Sequence, residues 1–158
     1  RYVEGLTSVE GGYERTGSRS PMQWDNTANC GFSSAAPEKL YIKMDPSADR
    51  PTAAAQMQDE TSLYHEVQKL IAFRQEHSVL QSKGEIEFVY AAKDSYPLAY
   101  VRSSDAEKIL VIINPSAKEA SFESALSSEQ ALYAYGESAH KQDGIWIAPP
   151  CSVTLLKL

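Results

Sequence analysis

Few of the 158 residues have the chemistry to catalyse, and fewer are spaced to act together. His65, His77 and His140 stand apart, with no His-x-x-x-His pair, and Cys30 and Cys151 lie at no zinc-like spacing, so a metal centre is not expected. The two cysteines are read as unpaired thiols. Gly11-Gly12 lacks the trailing Gly-Lys of a phosphate cradle, and no Gly-x-Ser-x-Gly elbow marks a serine hydrolase. No cofactor is expected. Aromatic side chains leave one further chemistry, stacking on sugar rings. Trp24 could present such a face, but a Trp beside Met22 and ahead of Gly31-Phe32 is expected to anchor a loop by burial. Tyr133, Tyr135 and Trp146 could form a carbohydrate-binding platform; strands routinely bury such residues, so a place in a core is the expectation.

The elements that must position these groups fall into two regimes. Through residues 1 to about 58, Gly5, Gly11, Gly12, Gly17, Pro21, Gly31, Pro37, Pro46 and Pro51 interrupt every periodic pattern. Tyr2, Val3, Leu6, Tyr13, Met22, Trp24, Phe32, Leu40, Tyr41, Ile42 and Met44 nevertheless supply apolar anchors that a solvated linker lacks. Such a stretch reads as a long ordered loop with a function. A helix follows, with Asp59 or Thr61 able to cap it and Leu63, Val67, Leu70 and Ile71 recurring at helical spacing to face one partner surface.

From Gly84 the period changes to two. Ile86, Phe88 and Tyr90 form one alternating run and Leu98, Tyr100 and Arg102 another, across a turn at residues 94–97, which predicts an antiparallel pair. Ile109-Leu110-Val111-Ile112-Ile113 is apolar throughout and stops at Asn114-Pro115, as a central strand buried on both faces would. Further strands are predicted around 120–122, 131–135, 144–147 and 152–156. Short strands at intervals of about ten residues suggest a β-sandwich.

A formal charge of −6 with scattered Lys and Arg gives no phosphate-tracking stripe, so nucleic acid is not an expected partner. No run reaches the roughly 18 apolar residues of a membrane span. The opening Arg1-Tyr2-Val3-Glu4 reads neither as a secretory signal nor as a transit peptide.

Within the irregular third, Gly17-Ser18-Arg19-Ser20-Pro21-Met22-Gln23-Trp24-Asp25, followed by Asn29-Cys30-Gly31-Phe32-Ser33, is specific. It resembles the Arg-Thr-Pro-Met-Gln-Trp-Asp and Ala-Gly-Phe-Ser segments of α-glucosidases, oligo-1,6-glucosidases and trehalose synthases in the α-amylase superfamily, glycoside hydrolase family 13. The resemblance continues through Gln56, the stretch from Ser62 to Arg74, and Val111-Ile112-Ile113-Asn114-Pro115. Ser20, Cys30 and Ala53-Ala54-Ala55 depart from the common pattern.

The resemblance implies a mainly β chain: a C-terminal antiparallel β-sandwich, residues 81–158, preceded by residues 1–80 as the last loop and final helix of a (β/α)8 barrel. Loops on that face of such barrels carry the site. Retaining glycoside hydrolysis needs two carboxyl groups about 5 Å apart. In this superfamily they sit on earlier barrel strands, so they are expected upstream of Arg1, and the fragment alone is expected to be inactive. Arg19 is the implied substrate-binding residue, its guanidinium fork gripping hydroxyls of the glucose at the non-reducing end. The implied partners are α-glucosides and malto- or isomalto-oligosaccharides bound through the missing barrel. The competing readings are a carbohydrate-binding or interaction sandwich, self-association through the exposed helix stripe, and a fragment of an α-amylase or trehalose-forming glucosyltransferase.

Overall fold

The computed structural model describes residues 19–128 and 130–158. Gly17, Ser18 and the earlier glycines and apolar anchors invoked above lie outside the described residues. Two compact units divide the chain, with the boundary between Ile71 and Ala72.

In the first unit the backbone runs mostly without regular structure from Arg19 to Thr52. Two short helices then follow, α1 at Ala53–Gln58 and the beginning of α2, Leu63–Glu76. The sequence reading recognised only the second, because six residues cannot display a 3.6-residue period. Local signals for α1 were nonetheless present: Pro51, an alanine run of high helix propensity, and Thr52, whose Oγ1 accepts from Ala55 N at 3.2 Å.

The start of α2 is capped differently from expectation. Asp59 Oδ1 turns instead onto Thr61 N and Oγ1, at 2.9 and 2.7 Å. Ser62 is the buried residue at the helix entry, and Gln56 Oε1 reaches eight residues forward to accept from Tyr64 N at 3.1 Å. Two free amides of the first turn are thereby satisfied by Ser62 and Gln56.

Among the described residues the second unit carries eight strands: β1 Glu85–Tyr90, β2 Leu98–Ser103, β3 Lys108–Asn114, β4 Ala120–Glu123, β5 Ala131–Tyr135, β6 His140–Gln142, β7 Ile145–Ala148 and β8 Ser152–Lys157. All pairings are antiparallel, in a five-stranded sheet of order β1-β2-β3-β8-β5 and a three-stranded sheet of order β4-β7-β6. The expected β1–β2 pair is present, and β3 is central, as its unbroken apolar run implied. Strand β6 was not foreseen, since His140-Lys141-Gln142 has no apolar alternation.

Along β3 successive side chains serve two cores. Leu110 and Ile112 join Val101, Leu156, Phe122, Trp146 and Ala148 between the two sheets, which makes this unit a sandwich. Ile109 and Val111 point the other way, to a cluster with Val79 and Leu155 on which Phe73 and Tyr133 pack. Asn114 ends the strand fully buried, its Nδ2 donating to Lys118 O, Ala148 O and Pro149 O at 2.8 to 2.9 Å. Gly84 lies where the chain enters β1. A Cβ there would stand 2.0 Å from Val79 O, so no other residue fits without moving the backbone. Arg102 closes the same corner, Nη2 donating to Gln81 O and Gly84 O.

Candidate functional site

Polar contacts, not apolar packing, shape the segment that holds Arg19. Its pivot is Met22–Asp25. The Gln23 carbonyl accepts from Ala53 N and the Trp24 carbonyl from Ala54 N, each at 2.9 Å, and Gln23 Nε2 donates to Pro51 O at 2.6 Å. On its other side Trp24 N donates to Cys30 O at 2.9 Å. The chain between turns on three successive left-handed residues, Asn29, Cys30 and Gly31. Asn29 tolerates that conformation and uses its amide to hold Ser33 O and Ala35 O. At Gly31, with φ +69°, a Cβ would press on the Asp25 carboxylate at 3.0 Å.

Asp25 Oδ1 accepts from Thr27 N and Thr27 Oγ1. Those bonds, side-chain first and backbone second, hold the carboxyl below its ordinary value. Asp59 repeats the device with Thr61, and Asp45 with Ser47, where the backbone bond is the larger cause. Each therefore stays ionised, locked onto its own turn. Cys30 is 2% exposed and its Sγ accepts from Arg50 Nε at 3.0 Å, while Arg50 Nη1 donates to Ser47 O. Cys151 is exposed, and both thiols are free.

Arg19 is exposed and has no hydrogen bond or ion pair to any described residue. Trp24 is 52% exposed, so its side chain is not the buried anchor that was expected; the backbone of Gln23 and Trp24 does the anchoring. Beside this segment runs an apolar groove of about 690 Å³, whose lining includes Met22, Gln23, Gln56, Leu63, Val67 and Ile71. The helix stripe stands exposed: Leu63, Val67 and Ile71 are 67%, 45% and 54% exposed.

The aromatic platform does not form. Trp146 is buried in the sandwich with Nε1 donating to Leu126 O, Tyr133 packs against Phe73, and Tyr135 alone is exposed. Ser62 and His65 come close, Oγ to Nδ1 at 3.3 Å, but the same Nδ1 faces Asp59 O at 2.9 Å. A nitrogen facing a carbonyl carries the proton, so it cannot take one from Ser62, which donates to Gln56 O instead. Among the described residues no group of three or more His, Cys, Asp or Glu could hold a metal.

Arg50, Gln56 and the fastening role of Gln23 went unnoticed in the sequence. Gln23 and Gln56 lay inside the resembling segments, the one signal that could have drawn attention to them. Arg50 offered none, because its bond to Cys30 spans 20 residues.

Comparisons with known proteins agree with the geometry. A family model described as the α-amylase catalytic domain matches residues 4–83. Trehalose-6-phosphate hydrolase of Bacillus subtilis (strain 168) is 33% identical over 117 residues, covering 74% of this chain and 20% of that protein. Oligo-1,6-glucosidase of Parageobacillus thermoglucosidasius is 32% identical over 66% of this chain and 18% of its own length. The chain thus spans about a fifth of these relatives. Among solved structures, the trehalulose synthase MutB of Pseudomonas mesoacidophila MX-45 superposes with a TM-score of 0.76 at 28% identity, over 91% of this chain and 26% of that one. A MutB mutant in complex with the substrate sucrose gives 0.77, over 99% and 29%.

Proposed function

The chain belongs to the α-amylase family of glycoside hydrolases, and from that premise we propose that it is the C-terminal part of a retaining enzyme acting on α-linked glucose oligosaccharides. In this reading residues 1–80 complete the catalytic barrel and 81–158 form the sandwich that follows it. The observation that carries the proposal is the match of residues 4–83 to the family's catalytic domain in a chain that spans a fifth of its relatives.

The catalytic carboxylates lie outside these residues. A retaining enzyme requires a nucleophile and an acid/base about 5 Å apart, the acid with its acidity weakened. Asp25, Asp45 and Asp59 are shifted the opposite way from that acid, by bonds from their own turns. The chain's contribution to the site is Arg19, whose guanidinium is exposed and unengaged by any described residue. Five N–H donors in a fixed fork suit vicinal sugar hydroxyls, and a charge at the closed end of a pocket favours release of one terminal sugar at a time. A glucosyl-transferring parent is the second reading, favoured by the likeness to a synthase solved with sucrose.

The test is turnover of p-nitrophenyl α-glucoside, with sucrose in parallel, by the 158-residue chain and by the full-length natural protein. Activity is expected only in the longer form, where Arg19→Ala lowers kcat/KM roughly tenfold to a hundredfold, the worth of one charged hydrogen bond. Appreciable turnover by the short chain would refute the assignment of the carboxylates. Conversion of sucrose with little aryl-glucoside hydrolysis would favour the transferase.

A further inference from the structure

Among the described residues, what holds Arg19 is the backbone from which it hangs. That backbone is short. Between Arg19 and the clamp at Gln23 stand only Ser20, Pro21 and Met22, a reach of at most about 14 Å when extended. Pro21 has a fixed φ, and the residue before a proline is pushed to extended backbone, so the arm has few conformations of its own. Its orientation then depends on how firmly Gln23 is held.

Gln23 is held twice, once through each part of the residue. Its carbonyl accepts from Ala53 N at 2.9 Å, and its side-chain Nε2 donates to Pro51 O at 2.6 Å. The first bond fixes register against the 51–54 segment. The second, across 28 residues of sequence, stops the peptide from rotating about that first contact.

We propose that Gln23 is a positioning residue for substrate binding, acting through Arg19 by fixing the arm to Pro51. The inference rests on the substrate-binding role given to Arg19 above. Removing the amide leaves the backbone clamp in place, so the arm keeps its register and loses its aim. The cost then falls on sugar binding and leaves folding and the chemical step alone.

The experiment is a double-mutant cycle in the full-length natural protein, with p-nitrophenyl α-glucoside as probe. Gln23→Ala, and Gln23→Met, which keeps the side-chain volume, are each expected to raise KM roughly three- to tenfold with kcat within about twofold, the worth of one neutral hydrogen bond. In the Arg19→Ala background the same change is expected to alter KM less than about twofold, because nothing remains to be aimed. A purely structural Gln23, or one that touches sugar directly, would raise KM equally in both backgrounds and overturn the inference. So would a fall in kcat with unchanged KM, or a lowered melting temperature in both Gln23 variants. Arg19→Ala without effect would remove the reading of Arg19 as well; a large Arg19 effect with an independent Gln23 effect would remove only this inference.

Discussion

Between Ala72 and Leu158, buried apolar residues form two clusters on the two faces of one sheet, with Ile109, Leu110, Val111 and Ile112 alternating between them. Between Arg19 and Ile71, only Cys30, Ile42, Thr52 and Ser62 are buried, and order comes from side chains bonding backbone: Gln23 to Pro51, Asn29 to Ser33 and Ala35, Gln56 to Tyr64. Met22, Trp24, Leu63, Val67 and Ile71 meanwhile stand exposed. The sandwich buries the apolar residues of β3 and β8 on both faces, while Ile86 and Phe88 of β1 stay exposed. The described part of the loop unit is ordered by bonds from side chain to backbone and leaves much of its apolar surface exposed.

The largest effect that probes this contrast is expected at Trp146. Trp146→Ala opens a void between the sheets and leaves Leu126 O with only its bond from Lys141 Nζ, so urea denaturation of the 158-residue chain should lose about 3–5 kcal/mol. A cost under about 1 kcal/mol would mean that the sandwich core is not what stabilises this unit.

In the loop unit, Leu63→Ser and Val67→Ser should each change stability by no more than about 0.5 kcal/mol, since neither side chain is buried. The measurement is the same denaturation at two protein concentrations. A loss above about 2 kcal/mol that grows with protein concentration would show the stripe covered by a second copy, breaking the comparison.

The smallest effect concerns acid. Asp25, Asp45 and Asp59 have folded values lowered from 3.8, so the stability they lend is complete above that value and is lost as pH falls through the lower, folded value. Followed by NMR, the Thr27, Ser47 and Thr61 amides should titrate with midpoints below 3.8. Midpoints at or above 3.8 would remove these turns as a source of local order.

Much of the sandwich could be read from residue order because its signals are local. Two-residue alternation announced β1 and β2, and an unbroken apolar run ending at Asn114-Pro115 announced the central strand. Strand β6 escaped because His140-Lys141-Gln142 is drawn into the sheet by β7, not by any pattern of its own. Arg19 was singled out through resemblance to a family segment; Gln23, Arg50 and Gln56 act through bonds spanning 8 to 28 residues, which no window on the sequence displays.

What the sequence determined by itself was which side chains want to leave water and where the chain turns: the stripe of α2, the strand periods, the glycine at 84 and the proline that stiffens the arm. Tertiary structure alone decided which of those wishes are met. Trp146 and Trp24 are the same residue type, yet one is 1% exposed and the other 52%. The physical reason is that burial depends on having a facing surface. Trp146 meets the second sheet, and Trp24 meets none among the described residues.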